Sequence, residues 1–317
     1  MPIAPEDEGP HPASDDPDWQ ESAYLAWRDA ATGLGGNHRI GNEVNRGTAN
    51  AWCGVYRDDG TRFRDNVQDL PLAQVVHGLS AGGQRLAHDG SALRFVLDAE
   101  GCCMELVVED DPAAMAAATG AAFAGSKGAA GAIFSNNFHT SCRVRGTVVL
   151  DGREARVDAP AWRDHSWGVR KWDSFLVSRS FGGSHGPLAF RYGSMVGANG
   201  SFFRRGSLER EGAPIEVASA EMRVTMDDDS LTCHGAEVRY HLVSGATTSV
   251  RIETAGGMIG VTRQRHGWES VGDAWVDGEP GGWGFLEVNN NPRNGADPPA
   301  FALADALANG LARGAPR

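Results

Sequence analysis

Between residues 142 and 157 the chain alternates apolar and polar side chains, turns at Asp151-Gly152 and alternates back. A period of two is that of a half-buried strand, and Asp-Gly suits the tight turn of an antiparallel hairpin. The pattern recurs. Residues 50–56 alternate around Trp52 before a turn at Asp58-Asp59-Gly60. Residues 92–97 and 104–108 form another pair, and 237–242 and 248–253 flank Ser244-Gly245. Long helical periodicity is scarce, while 42 glycines supply turns. Together these features predict a mostly β fold. Two helices are expected beside it. One spans 18–31, with Tyr24 and Trp27 on one face, and stops at Gly33-Leu34-Gly35-Gly36. The other spans 299–311, with Leu303, Leu307 and Leu311 in line. Residues 113–124 read as a small-residue helix or a flexible excursion, and 125–131 as a loop able to cover a pocket.

The hairpin's second strand leads into the stretch 162–172, Trp-Arg-Asp-His-Ser-Trp-Gly-Val-Arg-Lys-Trp. Three indoles need apolar cover; Asp, His and Arg need water or partners. Both needs within eleven residues suggest a pocket wall. The plainer reading is a buried Arg–Asp pair locking strands among structural tryptophans. In a regular strand Trp162, Asp164 and Ser166 share one face, and Arg163, His165 and Trp167 the other. Asp164 and His165 then serve one pocket only if a bulge intervenes.

The run Arg163-Asp164-His165-Ser166-Trp167-Gly168-Val169-Arg170 resembles the signature of the lipocalin-like family that contains carotenoid 1,2-hydratase and kievitone hydratase. Tocopherol-cyclase-like proteins and decalin-forming Diels–Alderases are more distant relatives. The preceding hairpin and Glu287-Val288-Asn289-Asn290-Asn291-Pro292-Arg293 agree with the resemblance, which runs from about Tyr24 to about Gly310. The motif is specific for the family and weak for the reaction. The resemblance implies two lipocalin-like β-barrel or sandwich halves with a few short helices. On that basis 19–150 are the first half and 151–317 the second, with its terminal helix; residues 1–18, rich in Pro, Asp and Glu, read from their composition as an acidic tail, disordered or loosely draped. It also implies a hydratase or dehydratase acting on an apolar, isoprenoid-like molecule. The alternatives are an isomerase or cyclase using the same pocket, and a non-catalytic carrier of a hydrophobic ligand.

Within that frame Asp164 is the expected proton donor, since a carboxyl among indoles is desolvated and holds its proton. Arg163 or Arg170 nearby would oppose this by favouring the carboxylate. Asp164 itself, His165 and His139 are candidate bases, the two imidazoles against the plainer reading of structural histidines. Trp52, Tyr56, Trp162, Trp167, Tyr192 and Trp283 are candidate substrate contacts, because aromatic faces stabilise a developing carbocation. Arg170 joins them. Glu287 is a candidate water holder with Asn289 and Asn291, against the reading of a polar turn closing the barrel.

Charge and composition narrow the partners. The net charge is −12, and half of it lies in residues 1–20, which hold six acids and no Lys or Arg. No basic footprint for nucleic acid is visible. Five scattered cysteines without a C-x-x-C pair read as reduced thiols. No signal peptide or apolar span is visible, so the cytoplasm is the expected location. Nucleotide-binding, metalloprotease and Cys/His metal spacings are missing, which predicts no cofactor and no metal. The expected partner is a hydrophobic small molecule; a homodimer is left open.

Overall fold

The computed structural model describes residues 5–110, 136–226, 232–261 and 266–290. Two compact units divide the chain, Met1–Lys171 and Trp172–Arg317. Among the described residues of the first unit, ten strands form one antiparallel sheet. They are β1 (Trp19–Asp29), β2 (Leu34–Glu43), β3 (Thr48–Arg57), β4 (Arg62–Pro71), β5 (Gly78–Ala81), β6 (Gln84–His88), β7 (Leu93–Ala99), β8 (Cys102–Asp110), β9 (Asn136–Leu150) and β10 (Arg153–Val169). The order is β4-β3-β2-β1-β10-β9-β8-β7-β6-β5, so the first strand pairs with the last, and β5 packs back against β2 and β3. The second unit holds β11 (Phe175–His185), β12 (Leu188–Gly197), β13 (Phe202–Arg210), β14 (Ala213–Ile215), β15 (Val217–Met226), β16 (Cys233–Leu242), β17 (Thr247–Val261), β18 (His266–Val276) and β19 (Glu279–Asn290). Its order, β14-β13-β12-β11-β19-β18-β17-β16-β15, again joins first strand to last among the described strands, and β15 packs against β13. The molecule is thus mostly β, with two lipocalin-like halves.

The hairpins read from the sequence form as expected: β9–β10 across Asp151-Gly152, β3–β4, β7–β8 and β16–β17. Asp151 takes a positive φ of 51° and Gly152 one of 70°. A two-residue turn of matching twist needs this backbone.

Three expectations differ from the structure. Residues 18–31 contain β1, not a helix, and Gly33-Leu34-Gly35-Gly36 runs from a turn into β2. Tyr24 and Trp27 do not share a face; alternation puts Trp27 in the core of the first unit and Tyr24 on the other side. The first unit extends to Lys171, past the expected boundary at 150/151, because β10 runs unbroken from the hairpin to Val169 within the first sheet. Residues 5–18 do not drape loosely. Glu8 is buried, and the arm is strapped down at several points. Asn45 donates to the carbonyls of Ser14 and Asp16, Arg46 and Lys171 reach Asp18, and the Arg170 amide donates to the Asp18 carbonyl. The expectations for 113–131 and for the helix at 299–311 lie outside the described residues. Among the described residues no helix is long and apolar enough to cross a membrane.

Each unit has its own core. Ala23, Leu25 and Trp27 of β1 meet Ala51, Cys53 and Val55 of β3, Phe95 of β7, Leu106 of β8 and Val144 of β9. Val157, Ala159 and Ala161 line the same interior from β10, at every second position. In the second unit Phe181, Phe190, Tyr192, Tyr240, Ile252, Trp268 and Leu286 fill the corresponding space.

Candidate functional site

Strand β10 carries the chemistry-dense stretch with a different set of groups on each face. It pairs with β1 from Trp19↔Val169 to Trp27↔Ala161 and with β9 from Asn136↔Trp167 to Leu150↔Arg153, with no slip in either ladder. Unbroken alternation therefore puts Asp164 and His165 on opposite faces.

On the interior face the apolar series Val157, Ala159, Ala161 continues into Arg163 and His165. Arg163 is 0% exposed. Its guanidinium donates to both Glu8 oxygens at 3.0 and 2.8 Å, and to both Asp110 oxygens at 2.7 and 2.6 Å. Its Cζ lies 5.1 Å from the Phe138 ring centroid. Burial works against the charge, but hydrogen bonds and ion pairs with Asp110 and Glu8 outweigh it and raise the pKa further. Of the alternative reading, a buried Arg–Asp pair, Arg163 therefore takes part with Asp110 and not with Asp164, from which it points away.

Beside it, Glu21 Oε1 lies 2.8 Å from His165 Nε2 and 2.6 Å from His11 Nδ1, while the His11 amide donates to Oε2 at 3.0 Å. His165 Nδ1 sits 3.7 Å from Glu8 Oε2, too long for a hydrogen bond but within ion-pair range. His11 stacks on Trp167, with centroids 3.7 Å apart and planes at 6°. Burial pushes both glutamates up; His165 and Arg163 at Glu8, and His11 and His165 at Glu21, overcome it and hold each at about 2. His165 loses by burial and gains more from Glu21 and Glu8, so its pKa rises. Gly9, at φ +83°, lets the arm reach this cluster; a Cβ there would stand 2.3 Å from Glu21 Oε1.

On the opposite face one row of side chains crosses six strands. Direct cross-strand partners run His139 (β9), Asp164 (β10), Tyr24 (β1), Arg39 (β2), Trp52 (β3) and Asn66 (β4). Such partners share a face. Trp162, two residues from Asp164, packs against Tyr24 at 5.9 Å and His139 at 5.7 Å between centroids. The Arg39 guanidinium lies 4.5 Å over the Trp52 ring and donates to Asn50 Oδ1 at 2.6 Å; Asn50 donates to Glu43 at 3.0 Å. Small residues make room for the large ones. Tyr56 lies across Gly54, where a Cβ would meet its hydroxyl at 1.8 Å, and Arg39 lies across Gly41. From His139 to Trp52 is four inter-strand steps, about 19 Å at ~4.8 Å each. Asp164 and His139 are half-buried, whereas Tyr24, Arg39, Trp52, Tyr56 and Trp162 are buried.

Of the expected site residues, Asp164, His139, Trp162, Trp52 and Tyr56 therefore come together on one face. His165 and Trp167 lie on the other, with the Arg163 cluster. Arg170 follows β10 and is 3% exposed. Tyr192, Trp283 and Glu287 belong to the second unit and share no single face there. Tyr192 is in its core. Trp283 donates to Ser184, and Asn289, which bonds Glu287, also donates to Ser178. Tyr24, Arg39, Glu43 and Asn50 were not singled out from the sequence, nor were Glu8, His11, Glu21 and Asp110. Their roles depend on register between distant strands.

The fold and this two-faced strand define a lipocalin-like β protein built as two sequential sheet units. The chain belongs to the family described as a domain of unknown function, DUF7064, whose model matches residues 4–292. Solved structures similar to it include the following three. A Nitrosomonas europaea protein provisionally assigned as AttH superposes with a TM-score of 0.66 at 16% identity, over 92% of this chain and 100% of that one. Kievitone hydratase from Nectria haematococca gives 0.59 at 10% identity, over 85% and 88%. CghA gives 0.59 at 13% identity, over 86% and 88%. At such identities the likeness shows the fold. No curated protein matches the sequence.

Proposed function

We propose that the chain is a hydratase or dehydratase that uses its own side chains, without a cofactor, on an elongated, mainly apolar molecule of isoprenoid type. The observation that carries this reading is the row His139–Asp164–Tyr24–Arg39–Trp52 with Trp162 beside it. It places a carboxyl group, an imidazole and several aromatic faces on one surface about 19 Å long. In the dehydration direction Asp164 protonates a tertiary hydroxyl, water leaves, and the cation is stabilised by the face of Trp162. His139, the cross-strand neighbour of Asp164, removes a proton from the adjacent carbon. The reverse sequence adds water. Arg39 does not oppose the cation strongly, because Asn50 links it to the Glu43 carboxylate. His165 has no part in the step, since it faces the interior. That kievitone hydratase shares the fold supports the reaction class. A cyclase or isomerase on the same row is the second reading, supported by the fold shared with CghA, which has also been solved with Sch210972.

The test is incubation with terpene alcohols, prenylated phenols and steroid-like alcohols in 18O-labelled water. Gain of label or loss of water by mass supports the lyase; a product of unchanged mass supports the isomerase or cyclase. Asp164→Asn is expected to lower turnover about 10²–10⁴-fold without loss of the fold. Full activity in a normally folded Asp164→Asn protein would overturn the assignment of the acid. Binding without turnover of any of these compounds would make the protein a carrier.

A further inference from the structure

We propose that His11, Glu21 and His165 form a binding site for a divalent transition-metal ion, Zn²⁺ being the probe of choice. His11 Nδ1, His165 Nε2 and one Glu21 carboxylate oxygen lie within 4.8 Å of one another. Both ring nitrogens converge on the same Glu21 oxygen, at 2.6 and 2.8 Å. Two imidazoles and a carboxylate are a donor set that suits zinc and its neighbours, and three protein ligands leave a fourth position for water. In a tetrahedral site with bonds near 2.1 Å the ligand atoms stand about 3.4 Å apart, so the ion requires the rings to draw back from the Glu21 oxygen, now at 2.6 and 2.8 Å, by about 0.6–0.8 Å.

Charge supports the assignment. In this cluster Glu8, Glu21 and Asp110 face one guanidinium, that of Arg163. With both imidazoles neutral, the group carries two excess negative charges. Either two protons or one divalent cation neutralises it. An outer-shell partner stands close by: Glu8 Oε2 lies 3.7 Å from His165 Nδ1, and a shift of less than an ångström would bring it to hydrogen-bond distance, where a carboxylate orients a metal-bound imidazole and raises its basicity. Glu21 and His165 are buried, and the half-buried His11 gives the ion a route from solvent. The site lies across β10 from Asp164, so the ion fastens the arm to the sheet and takes no part in the reaction proposed above.

The experiment is titration of untagged, chelator-treated full-length protein with Zn²⁺, read by equilibrium dialysis and by melting temperature, and with Co²⁺, read by visible absorption. One Zn²⁺ per chain is expected, with an upward shift in melting temperature and cobalt bands typical of a nitrogen–oxygen site. His11→Ala is the main variant, because Glu8 and the other straps still hold the arm. It should weaken binding at least tenfold, and Glu21→Gln should abolish it. Exposed Cys103 is the competing ligand, so Cys103→Ser should bind as the parent does. Absence of stoichiometric binding overturns the proposal. So does binding that survives His11→Ala and Glu21→Gln undiminished, or that disappears in Cys103→Ser.

Discussion

Replacing Glu8 by Gln should destabilise the first unit by about 3 kcal/mol at neutral pH. The Glu8 carboxyl is held at about 2 against an ordinary value of 4.5. A separation of roughly 2.5 units, at 1.36 kcal/mol each, gives about 3.4 kcal/mol for the charged form. The cost of breaking one side of a buried ion pair, about 3–5 kcal/mol, agrees. Gln keeps the size of the side chain but not its charge. It leaves Arg163, 0% exposed, with Asp110 as its remaining carboxylate partner. For a unit of this length the melting temperature should fall by roughly 6–12 °C. Calorimetry and urea unfolding of parent and variant would measure it. The pH dependence gives a second check. A carboxyl whose pKa is lowered on folding contributes fully above about 4.5 and loses its contribution as pH falls towards about 2. The difference between the proteins should shrink over that range. A loss below about 0.5 kcal/mol, the scale of an exposed ion pair, would show that Glu8 is solvated and that the arm is not anchored through it.

In chelator-treated, metal-free protein the alkaline side depends on His165, whose pKa is raised on folding: its contribution is complete below 6.5 and is lost as pH rises through the folded value. Urea midpoints should decline on that side in the parent and stay flatter in His165→Gln; parallel curves would contradict the assignment. Gly9→Ala meets both a positive φ and the Glu21 carboxylate, so the arm should become accessible to limited proteolysis while the sheet stays protected in hydrogen exchange. Unchanged cleavage would count against close packing at Gly9. Trp162→Leu should lower kcat about 2- to 30-fold with little change in KM if its indole stabilises a cation, and a rise in KM alone would point to simple binding.

The legible part of the sequence was what a single strand can express. Alternation and turn residues located the β9–β10, β3–β4, β7–β8 and β16–β17 hairpins, and alternation also separated Asp164 from His165. Reading 18–31 as a helix failed because β1 is buried on both faces. Apolar and aromatic residues then occur at positions that also satisfy a helical period, and tertiary pairing decides between the two. The partners of Arg163 were hidden for a different reason. Glu8 is 155 residues away and Asp110 is 53, and nothing local marks either as buried. The row His139–Asp164–Tyr24–Arg39–Trp52 likewise needs four registers at once. His139, Asp164 and Trp52 drew attention as residue types; Tyr24 and Arg39 became visible only when β1 and β2 were aligned beside β10.

The pairing of β1 with β10 also bears on how such a chain can be synthesised. Ser22 and Ser166, which bond across that seam, are 144 residues apart. Local hairpins such as β7–β8 can form as soon as they leave the ribosome, but β1 has no partner on its β10 side until Val169 has been made. Contacts this distant in sequence slow folding, because the loop must close before pairing repays it. Meanwhile the β1 edge is open to other strands, as any unpaired edge is. The second unit meets the same delay between β11 and β19. Production of this protein should therefore be more sensitive to translation rate and chaperone supply than its final stability would suggest.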